Sequence, residues 1–297
     1  MPGLHWRIRL GIVFMLLFSS GAIFAQKDSP QISVKGDLIL LQIPERSAEA
    51  LDGSEFARQI EDLCLEEREE AVIREVLSGN VPSFSRNLKA LRIQESLNST
   101  TYELVIYVAC DYLAIGSDLD YLYMPLTPAA AQYLADTLNC ILPTKILVDK
   151  IYKQAEIKLH PQPIPPSDSM TTVPIFHQHT DSIRHQYRNK GLERSTDKIV
   201  AGHKKDIILS NKIHDLDRTS GCVVIYGWHR SENQPIQPVY NGHVDWYADY
   251  SHGVRFISNQ VLINGIFMKA QDLLRNPELS FLLSSEGVIK KLYIPVR

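Results

Sequence analysis

Two hydrophobic periods succeed one another along this chain, and their alternation limits the fold more than any other feature. Across residues 54–77, Phe56, Ile60, Leu63, Val72, Ile73 and Val76 recur at helical spacing with acids on the opposite face. Residues 102–110 and 121–124 instead alternate or run apolar as strands do, with the turn-like Gly116-Ser117-Asp118 between them. Thr127-Pro128 then starts a helix through Asn139, and Pro143-Thr144 starts another through about Leu159. A short apolar strand at 37–43 comes before the first helix, and a further helical stretch covers 171–188. Neither an all-helical nor an all-strand protein accommodates this order. The expected class is α+β, with a mixed or antiparallel sheet covered by helices.

The first 25 residues read as a leader. Arg7 and Arg9 precede fifteen apolar or small residues (LGIVFMLLFSSGAIF), and Ile23 and Ala25 stand where a signal peptidase inspects its substrate. Ser19, Ser20 and Gly21 interrupt the apolar run, which falls short of the roughly 18 residues a membrane span wants. The expectation is a signal peptide at 1–25 and a periplasmic or secreted mature protein without an integral membrane span. Residues 26–100 form an N-terminal segment of helix and strand, and 101–297 form the main α+β domain, most of the chain being one continuous globular body. The proline-rich HPQPIPP at 160–166 runs extended as a connection within that body.

A hydrophobic content of 44% suits a packed core, while a net charge of -3 argues against a nucleic-acid partner, which wants a basic face. Export would put Cys64, Cys110, Cys140 and Cys222 where disulfides persist; four cysteines allow three pairings, which the sequence does not choose among. Cys64 and Cys140 lie on apolar patterns and read as buried thiols. Ser117, Asp118 and Asp120 read as turn residues, and Asn98-Ser99-Thr100 matches a glycosylation pattern.

Chemistry concentrates between residues 200 and 256. Five of the ten histidines fall here: His203, His214, His229, His243 and His252. The runs 206–210 and 221–228 read as strands, with Gly202-His203-Lys204-Lys205-Asp206 opening the first and His229 following the second. Strand ends commonly carry function because a rigid sheet positions them and leaves them accessible. The densest stretch is YNGHVDWYADYSHGVRFI at 240–257. The HQHTDSIRH run places His177, Asp181 and His185 on one face of a helix, geometry open to a metal but read as a solvated polar face.

Three mechanisms fit these residue types. His243, His252 or His203 is a general base for water or for Ser251, with Asp249 fixing the imidazole. Arg255, Lys204, Lys205, His229, Tyr247, Tyr250 and Trp246 would then hold the substrate, an oxyanion included. Alternatively His203, His243, Asp245 and His252 supply ligands to a catalytic zinc, although no HExxH or comparable signature is present and no cofactor is otherwise implied. The third option makes Cys222 a nucleophile, yet it opens an apolar strand where an inert thiol is the commoner state.

Ser251-His252-Gly253-Val254-Arg255 resembles the Ser-His-Gly-Cys-x-Arg motif of L,D-transpeptidases, secreted enzymes that cross-link peptidoglycan stems through a cysteine. Here the cysteine is missing: Val254 follows Gly253 directly and Arg255 arrives one residue early. The resemblance therefore supplies no nucleophile and points only to His252 and Arg255. The expectation is an exported hydrolase acting on a cell-envelope or extracellular polymer, peptidoglycan or polysaccharide, by His/Asp acid–base chemistry. The alternative is a secreted module that binds such a polymer on Trp228, Trp246, Tyr247 and Tyr250.

Overall fold

The computed structural model describes residues 37–214 and 221–293, so the expected leader at 1–25 lies outside the described residues. Strand β1 (Leu38–Leu40) leads to helices α1 (Gly53–Ile60), α2 (Leu65–Leu77) and the single turn α3 (Ser83–Arg86). The long antiparallel pair β2 (Asn87–Leu97) and β3 (Thr100–Ala109) follows, then a small hairpin of β4 (Ala114–Gly116) and β5 (Tyr121–Tyr123). Next come α4 (Pro128–Thr137), β6 (Cys140–Ile141), α5 (Lys145–Gln154), β7 (Ile157–Lys158) and α6 (Val173–Asn189). The last third is mostly short strands: β8 (Val200–Ala201), β9 (Lys205–Ile207), β10 (Ile225–Ser231), β11 (Gln234–Tyr240), β12 (His252–Gly253), β13 (Ile257–Ser258), β14 (Gln260–Ile263) and β15 (Ile266–Lys269), with α7 (Ala270–Arg275) after them.

The class is α+β. One seven-stranded sheet runs β1-β2-β3-β13-β6, with β14 also on β3 and β15 beyond it, and every pairing in it is antiparallel. A second sheet, β11-β10-β9-β12, is mixed, because β12 lies parallel to β9 while β10 is antiparallel to both its neighbours. Helix α1 covers β4 and β5, α6 covers β5, and α5 packs on β10. Phe56, Ile60, Ile106, Val108, Leu134, Leu147 and Ile225 are almost completely buried, each contributing about 1.5–3 kcal/mol of transfer free energy where the side chain is large.

Local chemistry explains where elements begin and where the sequence reading departs from the structure. Thr127 and Thr144 accept hydrogen bonds from Ala130 N and Leu147 N and so cap α4 and α5, as the Thr-Pro and Pro-Thr signals predict. The helix expected at 54–77 is two helices. Cys64 adopts an extended conformation, and the Glu67 carboxylate returns to its backbone N at 3.3 Å, so α2 starts afresh there and leaves Cys64 exposed rather than buried. Cys140 is buried as expected. Helix α5 stops at Gln154, short of Leu159, because Ala155 turns extended and β7 pairs parallel with β8. Strand β2 escapes the sequence reading, since Lys89, Arg92 and Gln94 obscure its apolar face. Its turn, Asn98-Ser99, has φ values of 48° and 67°, the left-handed pair that a tight hairpin needs. Asp118 caps α3 by accepting from Ser83 N and Oγ, both at 2.7 Å, and Asp120 accepts from Ser54 at the start of α1. Those acids are turn and cap residues.

Candidate functional site

Parallel pairing of β9 with β12 brings the two densest polar motifs side by side: His252 is in register with Lys205, and Gly253 with Asp206. The pairing depends on a close approach. A Cβ on Gly253 would sit 2.5 Å from Tyr112 Cδ1 and 2.8 Å from Lys204 Cβ, so only glycine lets the strands and the Tyr112 ring meet. On the other side of β9, Trp228 has φ of 58°, an outlier for a bulky residue that costs on the order of 1–3 kcal/mol. Its backbone N donates to Lys204 O and its Nε1 to His203 O, both at 3.1 Å, which holds the strained conformation against the motif.

Around this junction five of the residues expected to act fall together. Ser251 N and Oγ donate to Asp249 Oδ1 at 2.7 and 2.5 Å. His252 Nε2 lies 4.0 Å from the same oxygen, beyond hydrogen-bond reach but within ion-pair distance. His252 is fully buried, and neither of its ring nitrogens has a hydrogen-bond partner among the described residues. Burial therefore takes its pKa down to about 4; Asp249 opposes this, while Lys205, His243 and Lys204 add to it. Burial works the other way on Asp249, but His252, Lys205 and Ser251 hold its carboxyl at about 2. At neutral pH the pair is an uncharged imidazole beside a carboxylate.

Two lysines flank the pair. The Lys204 ammonium is buried, donates to Tyr250 O at 2.5 Å and lies 5.3 Å from the centre of the Tyr123 ring. Burial pulls it down to about 7 despite the attraction of Asp249 and Asp111. Lys205 is half-buried over the Trp228 ring at 4.8 Å, and burial lowers its pKa as well.

Toward solvent, His243 stacks on Tyr247 with ring centres 4.3 Å apart, and both rings approach His252, at 6.3 and 5.9 Å. Burial and the charge of Asp249 push Tyr247 up to about 12, so its phenol stays protonated. Tyr247 also lines an open cleft of about 490 Å³, with Trp246, Arg68, Ser167 and Asp168 around it. The Tyr250 hydroxyl donates to Ile164 O at 3.3 Å and accepts from Ile164 N at 2.8 Å, so it ties the 160–166 connection to the site.

Other expected residues have different neighbourhoods. His203 Nε2 lies 3.2 Å from Asp111 Oδ1, both groups fully buried, and Asp111 also pairs with Arg194 at 2.7 Å and accepts from the Tyr123 hydroxyl at 2.8 Å. Burial lowers the pKa of His203, with Asp111 opposing. His229 sits against Asp149 at 3.2 Å and stacks on Tyr152, on the α5 side of the mixed sheet. Arg255, expected to grip a substrate, is fully buried instead. It donates to Ala109 O at 2.7 Å and Val200 O at 2.6 Å, with its Nε 3.9 Å from Asp206 and its guanidinium over Tyr112. Its donors join β3 to β8. Burial pushes the pKa of Asp206 up to about 6 against the pull of Arg255 and the Tyr112 hydroxyl.

The conditional zinc set of His203, His243, Asp245 and His252 does not converge: His203 belongs to Asp111, and residues 241–249 are irregular, with one bridge at Val244 and a turn at 245–246, rather than the strand that would align His243 with Asp245. Among the described residues no group of three or more His, Cys, Asp or Glu is placed to hold a metal ion. His177 and Asp181 meet at 3.3 Å as a half-exposed pair on α6. Cys222 is buried, with its thiol against the Lys212 carbonyl at 3.4 Å.

Sequence reasoning missed three contributors. Asp111 comes two residues after the end of β3, the kind of strand-end acid that could have been marked. Arg194 comes from an irregular stretch with no motif. His179, on α6, is fully buried, packs its ring at a tilt against Tyr250 with centres 4.8 Å apart, and has a strongly lowered pKa, caused first by burial and then by Lys204 and His203. No helix among the described residues is long and apolar enough to cross a membrane. No protein-family model, curated protein or solved structure matches the chain.

Proposed function

We propose that this protein is an exported hydrolase acting on a cell-envelope or extracellular polymer, peptidoglycan or polysaccharide, in the periplasm or outside the cell. One observation carries the reading: the buried, uncharged His252 faces the Asp249 carboxylate at 4.0 Å, across β9 from the strained Trp228 and behind the His243–Tyr247 stack that leads to an open cleft. Perturbed titratable groups and strained backbone gathered at one place nominate that place as a functional site.

In this reading a polymer lies in the cleft and its scissile bond reaches the His243–Tyr247 gateway. His252 Nδ1, the ring nitrogen other than the one facing Asp249, takes a proton from the attacking water, and Asp249, on the Nε2 side, stabilises the imidazolium that forms. Ser251 holds Asp249 in place. Where the bond is an amide of a peptidoglycan stem, Lys205 offers positive charge to the oxyanion that develops; Lys204, titrating near 7, can give a proton to the departing amine, or to the departing sugar oxygen where the bond is glycosidic. Arg255 takes no part in binding and keeps the strands in place.

The test is to incubate the purified mature protein with peptidoglycan and with plant and microbial polysaccharides, and to follow released fragments by chromatography and mass spectrometry. Fragments should appear with at least one polymer and fall at least a hundredfold with His252→Gln in a protein that remains folded. Absence of release from every polymer, or release indifferent to His252, sinks the reading.

A further inference from the structure

The cleft at the mouth of the site contains a cation that has no carboxylate at ion-pair distance among the described residues; Glu69 attracts it from farther off, with its carboxylate engaged by Thr127. Arg68, on α2, is about nine-tenths buried, yet its one hydrogen bond is from Nη1 to Thr171 O at 3.2 Å, and its guanidinium otherwise rests on the Phe176 ring at 5.3 Å. Among the described residues no carboxylate makes an ion pair with it. A buried charge without a partner is expensive, and a guanidinium with donors left over matches a carboxylate in a two-pronged grip.

Two more features share the cleft. The Trp246 indole is 60% exposed, an apolar plate turned to solvent, and the Asp168 carboxylate on the rim has no hydrogen-bond or ion-pair partner among the described residues. An aromatic plate suits the C–H face of a sugar ring, a free carboxylate accepts from sugar hydroxyls, and Arg68 supplies the cation. At about 490 Å³ the cleft falls in the size range of small-ligand sites.

We propose that this cleft binds an acidic sugar of the polymer, its ring stacked on Trp246 and its carboxylate paired with Arg68. The proposal rests on the hydrolase reading only in taking the cleft as the place where the polymer lies. Asp168 makes the site selective, since it repels anions that do not aim their charge at Arg68 and accepts hydroxyls of a ring that does.

The experiment measures binding by calorimetry and tryptophan fluorescence, on the parent and on a His252→Gln variant that leaves ligand uncleaved. The probes are a galacturonate tetramer, its methyl ester, a tetramer alternating glucuronate with N-acetylglucosamine, and neutral cellotetraose. At least one acidic tetramer should bind tenfold or more tightly than cellotetraose, and methyl esterification should remove that advantage for galacturonate if it is the one bound. Trp246→Ala should weaken binding of every tetramer, and Arg68→Gln should bring the acidic ligand down to the neutral one. If Arg68→Gln lowers stability, the ester comparison on the parent and the exposed Trp246 variant still decide. Equal binding of acidic and neutral tetramers, or no binding by any, overturns the proposal. Acid-selective binding without fragment release would remove the hydrolase reading and leave this one standing, whereas release without acid preference would do the reverse.

Discussion

Replacing Arg255 with leucine separates a structural arginine from a substrate-binding one. The side chain is fully buried and donates to two backbone carbonyls, Ala109 O at 2.7 Å and Val200 O at 2.6 Å, while its Nε faces Asp206 at 3.9 Å. Leucine keeps much of the apolar volume but strands both carbonyls and leaves Asp206 without its cation. Hydrogen bonds to charged groups contribute about 1.5–3 kcal/mol each, and removing one partner of a buried pair costs about 3–5 kcal/mol. The expected loss is about 3–5 kcal/mol, a large part of the roughly 5–15 kcal/mol that holds a domain folded. The loss should depend on pH with a definite sign. Burial already raises Asp206 to about 6 in the parent, and without Arg255 it moves higher, whereas in the unfolded chain it ionises near its ordinary 3.8. A group with a raised folded pKa contributes stability below the unfolded value and loses it as pH rises through the folded one, so the variant should be penalised more at pH 8 than at pH 5. Urea unfolding of parent and variant at both pH values, followed by tryptophan fluorescence, measures this. A variant within 1 kcal/mol of the parent, with only its ligand affinity reduced, would refute the structural role.

Three further perturbations follow from the same geometry. Gly253→Ala places a methyl 2.5 Å from Tyr112 and 2.8 Å from Lys204, and should cost about 1–3 kcal/mol in urea unfolding; a neutral result would contradict the close approach of β12 to β9. Thr127→Ala removes the cap of α4 and the hydroxyl bond to Glu69 at 2.9 Å, for a loss of about 1–2 kcal/mol by thermal unfolding, which an unshifted transition would rule out. His252, lowered from 6.5 to about 4, contributes stability that is present above pH 6.5 and lost as pH falls toward 4, so His252→Gln should flatten the acid limb of the stability profile between those values, and an unchanged limb would mean that the imidazole is not buried neutral.

Much of the fold was legible because its signals are local. Thr127-Pro128 and Pro143-Thr144 announce helices through capping chemistry that needs only the next few residues. The end of α5 was not legible, because a strand partner over forty residues away decides it; the break at Cys64 has a local cause in Glu67, masked by an apolar period that continues across it. At the site, Lys204, Lys205, Asp249, Ser251 and His252 were visible as two polar strand ends, and their meeting is a consequence of β9–β12 pairing that no spacing encodes. Arg255 shows the limit most clearly. Its partners are backbone carbonyls, so its side chain suggests substrate binding until the strands around it are known. Asp111 and Arg194 form one buried ion pair, His179 packs against Tyr250, and none of the three carries a pattern of its own.

The central claim is that His252, neutral and facing Asp249 inside the site, is the base of a hydrolytic reaction. The most direct measurement is the initial rate of fragment release by parent and His252→Gln protein on the polymer the parent cleaves, as a function of pH, with unfolding temperatures recorded for both. A base that titrates near 4 predicts a parent rate that stays high down to about pH 5 and falls below it, and a variant slowed by about 10²–10⁴-fold across the range. A folded His252→Gln protein that releases fragments at the parent rate with the same pH dependence would contradict the account.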